Sequence, residues 1–146
     1  MTEQNGTSAQ GNCWFGLIRK RFAGAGMRAT APRKMIALTV FAGDRDRHFT
    51  AQEVHRNLVG AGSRLSLATV YNTLNSFSDA GLLRKIPVGD GNFFFDTNKS
   101  EHVHLVTENG DGTHTISDAD DLESAICELR QLAMAHENTA VIRIII

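Results

Sequence analysis

Apolar and polar positions recur with two different periods along the chain, and the change falls near residue 83. Before it the spacing is helical. Residues 15–24 (FGLIRKRFAG) predict a short basic helix, preceded by a polar arm over residues 1–12. Pro32 suits a first helical position and opens PRKMIALTVFAG, where Met35, Ile36, Leu38, Thr39 and Val40 supply a broad apolar face. In TAQEVHRNLVGAG, Thr50 followed by Glu53 is a capping-box pattern, with Val54, Leu58 and Val59 as the buried stripe. Ser66 is the predicted N-cap of the next helix, in RLSLATVYNTLNSFSDAGLLRK. There Leu67, Val70, Leu74, Phe77 and Leu82 can face a core, and Gly81 is the stop.

After residue 83 the pattern shortens to that of strands. LLRKIPVGDGNFFFD reads as two strands around Asp90-Gly91, a strong hairpin signal. HVHLVT, a turn at ENGDG and THTIS follow. An amphipathic helix over residues 120–136 then carries Leu122, Ile126, Leu129 and Ala133, before the apolar terminal strand AVIRIII. Three small helices and a hairpin make the winged helix-turn-helix layout, with the fourth predicted helix as an N-terminal addition, and the domain covers residues 13–96. Residues 97–146 predict a small α/β domain, so the fold class is α+β. A lone small sheet with one helix buries little, and its last strand is too apolar for water. The second domain is therefore expected to complete its core as a homodimer.

Composition adds an asymmetry. Residues 1–90 hold twelve Lys and Arg against six Asp and Glu, while residues 91–146 hold three against ten. A basic half joined to an acidic half points to a polyanion partner for the first and a different task for the second. No apolar run approaches the roughly 20 residues of a membrane helix. The start, MTEQNGTSAQGN, lacks a basic-then-apolar signal layout, so a cytoplasmic protein without membrane attachment is expected. Cys13 and Cys127 form no C-x-x-C pair and read as reduced thiols.

The outward face of residues 66–80 presents Thr69, Tyr71, Asn72, Asn75 and Ser76, almost without charge. A merely solvated helix normally carries Lys and Glu there. Asn pairs bidentately with adenine, and Thr and Tyr contact thymine methyls and phosphates, so this face suits base reading in duplex DNA. His102 and His104 stand at i and i+2 on a predicted strand, which turns both to one side, where two imidazoles can share a metal. Asp96 lies six residues earlier, and His48 sits ahead of the capped helix. Imidazole with carboxylate suits iron(II), manganese(II) or zinc(II).

These segments also resemble a known family. SLATVYNTLNSFSDAGLL is similar to the recognition-helix segment of the ferric uptake regulator family, and LATVYNTLN, AGLLR and FDTN look most like its iron response regulator subgroup. The resemblance implies a dimeric, metal-responsive DNA-binding regulator, mainly a repressor, of iron homeostasis genes. It implies that Tyr71 contacts bases while Arg19, Arg28 and Arg33 grip phosphates. It carries a regulatory metal site onto His48, Asp96, His102 and His104. Family members often add an acidic ligand from the following strand; this chain has GTHTIS there, leaving His114 as a further candidate. A second family site would have only Glu101, Glu123 and His136 as remnants, since Val103 stands between the histidines. Some subgroup members bind haem through a Cys-Pro motif; here Cys13 precedes Trp14, which leaves haem as a weaker alternative cofactor. Competing readings are a peroxide sensor, a winged-helix protein-interaction module and a metallohydrolase. The last lacks an evident nucleophile or general base near the cluster and leaves the basic half unexplained, so no enzyme activity is expected.

Overall fold

The computed structural model describes residues 7–43, 47–135 and 141–145. The chain divides into two compact units. One comprises Met1–Lys85 with Phe94–Lys99, the other Ile86–Phe93 with Ser100–Ile146. The hairpin tip thus groups with the second unit and residues 97–99 with the first, whereas the sequence places a single boundary after residue 96. A local reason is Arg143, whose Nη1 donates to the Val88 carbonyl at 2.6 Å.

The first unit is a helical winged-helix fold. Helix α1 (Thr7–Gly24) takes residues 7–12 of the expected arm into regular helix. Each residue added to an existing helix gains a hydrogen bond, and Thr7–Asn12 contains no proline to stop that growth. Ile18 and Phe22, one turn apart, bury its inner side. Helix α2 (Ala31–Phe41) opens with proline in its first turn and buries Ile36, Ala37, Val40 and Phe41. Met35 is 43% exposed and stands off that stripe. The guanidinium of Arg47 closes the far end, donating to the carbonyls of Thr39 and Val40 at 2.8 and 2.9 Å. Those carbonyls lack helical partners, so the cap satisfies groups that would otherwise need water.

Strand β1 (His48–Phe49) leads into α3 (Ala51–Gly60), whose capping box is complete. Thr50 N donates to the Glu53 carboxylate at 2.7 Å, and Glu53 N donates to Thr50 Oγ1 at 3.2 Å. Ala51, Val54 and Leu58 face inward. Val59, expected in the stripe, is 51% exposed. It lies about 100° around the helix from Leu58, and that turn carries it past the core-facing arc. Helix α4 (Leu67–Asp79) is capped by Ser66, which accepts from Thr69 N at 3.2 Å. Val70, Leu74 and Phe77 are fully buried, while Leu67, at the first helical position, is 39% exposed. Phe77 brings the helices together: its ring lies 5.5 Å from that of Phe22 and 6.0 Å from that of Phe41. Gly81 follows with φ 70, a left-handed residue that ends the helix without a Cβ penalty.

Strands β2 (Arg84–Gly89) and β3 (Asn92–Asp96) form the expected hairpin. Asp90 and Gly91 both have positive φ, 50 and 75, which is the twist a two-residue hairpin turn needs. The sheet order is β1-β3-β2.

In the second unit β4 (Val103–Glu108) is central, with β5 (His114–Ala119) and β6 (Val141–Ile145) antiparallel on either side. Helix α5 (Leu122–Ala135) starts at Asp121, whose carboxylate accepts from Ser124 N at 2.7 Å. Those hydrogen bonds hold the Asp121 carboxyl below its ordinary value. Only Ala125 of α5 is buried. Leu122 and Ile126, on the apolar face read from the sequence, are 46% and 38% exposed, and Met134 is 87% exposed. In the single chain the helix docks by its small residue, leaving Leu129 and Leu132 half-buried and Leu122, Ile126 and Met134 outside.

Candidate functional site

Helix α4 has the shape of a reading head. Its buried side fixes the backbone, leaving Asn72 exposed and Thr69, Tyr71, Asn75 and Ser76 partly so. Thr69 also serves the cap, with Oγ1 2.9 Å from Ser66 Oγ. Tyr71 packs its ring against the core edge. It meets Phe95 edge-on at 6.5 Å, and Lys85 Nζ lies 6.0 Å from its centroid. These contacts limit the ring's rotamers and leave the Tyr71 side chain pre-oriented. Arg33 Nη1 donates to the Arg28 carbonyl at 3.1 Å, bringing these two residues together ahead of α2. Arg28 and Arg19 are exposed. Lys85, which the sequence reading did not single out, follows the fourth helix by six residues and was legible only as part of the basic excess.

The candidate metal donors fall in both units. In the first, His48 and Asp96 are cross-strand partners on β1 and β3. His48 Nε2 lies 3.5 Å from Asp96 Oδ2, and Asp96 is fully buried. Its other oxygen accepts from Asn98 N at 2.7 Å. A buried carboxylate is costly unless a cation or donors face it, and an imidazole beside it is one such group.

In the second unit the rings of His102 and His104 lie 4.3 Å apart; His104 is on β4, whereas His102, expected on the same strand, stands just ahead of it. Asp118 joins them. Its Oδ1 is 3.2 Å from His102 Nε2 and 2.9 Å from His104 Nδ1. One donor atom from each of these three side chains lies within 4.8 Å of the others, a spacing that suits a shared ion. Asp118 stands opposite His104 in the β4–β5 ladder. Sequence reasoning missed it, although counting outward from the ENGDG turn would have paired the two. His114, the sequence candidate for this place, pairs instead with Glu108 at the other end of the hairpin. Four residues of strand put it about 13 Å from Asp118 along the chain, too far to share an ion with His104. Its Nε2 is 4.0 Å from the Glu108 carboxylate.

Glu101 and Glu123 are exposed and join no donor cluster among the described residues. Cys13 and His136 lie outside the residues whose side chains are described.

Residues 24–141 match the ferric uptake regulator family. The chain belongs to that family. It is 34% identical over 118 residues to the ferric uptake regulation protein of Bordetella parapertussis, covering 80% of each chain. A solved ferric uptake regulator from Pseudomonas aeruginosa, determined with manganese, is 30% identical with TM-score 0.59, over 80% of this chain and 82% of that one. The Vibrio cholerae ferric uptake regulator, whose structure shows rearranged DNA-binding domains, is 28% identical with TM-score 0.58, over 84% and 93%. Members of the ferric uptake regulator family are metal-responsive transcription factors and not enzymes, and this chain is a member of that family. Among its described residues no helix is long and apolar enough to cross a membrane.

Proposed function

We propose that this chain is a homodimeric repressor of iron homeostasis genes whose hold on operator DNA is set by one divalent metal ion per chain. His48, Asp96, His102 and His104 bind the ion, with Asp118 as the fifth donor. The observation that carries this is the donor set itself: three imidazoles and two carboxylates, four of them cross-strand partners (His48 with Asp96, His104 with Asp118) and His102 just ahead of β4. Three nitrogens and two oxygens suit iron(II), manganese(II) or zinc(II) and give no purchase to soft-metal thiolate chemistry. Manganese in the Pseudomonas aeruginosa relative supports the same class of ion. Similarity of LATVYNTLN, AGLLR and FDTN to the iron response regulator subgroup favours iron as the physiological signal.

The first unit contributes two donors and the second three, so an ion that recruits all five selects one orientation of the DNA-reading unit. In a dimer, that orientation sets the spacing of two recognition helices against half-sites one helical turn of DNA apart. Dimerisation uses the exposed apolar side of α5 and the free edge of β6, where Ile144 and Ile145 are only half-buried. The test is metal content after loading and desalting. Wild type should retain one ion per chain, and a His102→Ala/His104→Ala double variant should retain none; equal content would end the metal assignment.

A further inference from the structure

Strand β1 consists of two residues, and each pairs with one of β3: His48 with Asp96, Phe49 with Phe95. Successive strand residues face opposite ways, so this short ladder carries the donor pair on one face and a pair of rings on the other. The two rings stack at 6.1 Å with an interplanar angle of 20°. Phe95 is fully buried and in turn meets Tyr71 of the recognition helix at 6.5 Å and 82°. Arg47 and Thr97 extend the ladder by one step. Arg47 N donates to Thr97 Oγ1 at 2.9 Å, and Thr97 N donates to the Arg47 carbonyl at 3.2 Å.

We propose that Phe95 is a positioning residue, through which the state of the His48–Asp96 pair is passed to the base-reading ring of Tyr71 inside the first unit. The inference rests on the metal reading above and adds a second route, independent of how the two units are oriented. Two residues of strand oppose rotation weakly, so drawing His48 and Asp96 onto an ion changes the twist of the ladder. The opposite face then moves with it, because closely packed rings forfeit contact energy for any gap that opens. Tyr71, touching Phe95 by its edge, follows the displacement. A group that reads a base within hydrogen-bond tolerances is sensitive to such sub-ångström shifts.

The chain has a single tyrosine, so fluorotyrosine labelling of the full-length protein gives one fluorine resonance, that of Tyr71. Zinc(II), which is diamagnetic, is titrated into the metal-free protein while uptake is followed by calorimetry. In wild type the resonance should move in step with zinc uptake. In Phe95→Leu zinc uptake should persist, while the movement of the resonance falls to roughly half or less, because the edge contact is gone. Preference for a selected duplex over a scrambled one should fall in parallel. Phe49→Leu, one ring further back, should weaken the response in the same sense and stands in if Phe95→Leu does not fold. Zinc uptake with a stationary resonance, or an undiminished shift in the leucine variants, would overturn the relay and leave the metal reading intact. Failure of wild type to take up zinc would overturn both.

Discussion

Asp118 shows how one carboxylate changes the chemistry of two imidazoles. By lying within hydrogen-bond reach of both His102 and His104, it orients the rings and supplies an anionic donor beside them. Asp118→Ala should therefore weaken metal binding by about 10- to 100-fold, the usual cost of removing a ligand-orienting group. His114→Ala should leave it unchanged, because His114 pairs with Glu108 at the other end of the hairpin. Competition against a metallochromic chelator separates the two; equal losses would mean the site is misplaced. The residues proposed to meet DNA make a similar contrast. Tyr71→Ala should relax sequence preference by roughly 1–3 kcal/mol at the base it reads. Arg33→Ala should weaken all sequences alike and lower the salt slope by about one unit. Mobility-shift titrations at several salt concentrations distinguish these patterns.

At the scale of elements, local chemistry was legible in the sequence and tertiary choices were not. Thr50 with Glu53, Ser66, and Asp90-Gly91 each specify their structure within four residues, and each forms as read. Val59 and Leu67 are apolar residues that the helical period places near the core edge, and only packing decides that they stay outside. Asp118 was illegible for another reason: its partner is fourteen residues away, across a hairpin whose register had to be counted. The pattern around Phe77 carries more weight, since one side chain meets rings from two other helices. Phe77→Ala should cost about 3–5 kcal/mol of stability, the range for deleting a buried aromatic. Urea denaturation measures it; a loss below 1 kcal/mol, small for any core truncation, would show that the helices dock without this anchor.

For the whole molecule, the charge asymmetry and the two units tell one story. The basic half holds the helix-turn-helix with His48, and the acidic half holds the other four proposed donors, Asp96, His102, His104 and Asp118. The second unit keeps large apolar residues outside, which a symmetric partner would cover twice over. Ile144→Asp should accordingly yield monomers or aggregates in sedimentation, and a well-behaved dimer would contradict that packing. The central claim is that metal occupancy governs DNA binding. It is tested most directly by the affinity of the full-length protein for a duplex selected from a random pool, with and without bound metal at fixed salt. Coupling of 1–3 kcal/mol predicts an affinity change of about 5- to 150-fold on metal removal, abolished in the His102→Ala/His104→Ala variant. Equal affinities for the metal-free and metal-loaded wild type would contradict the account.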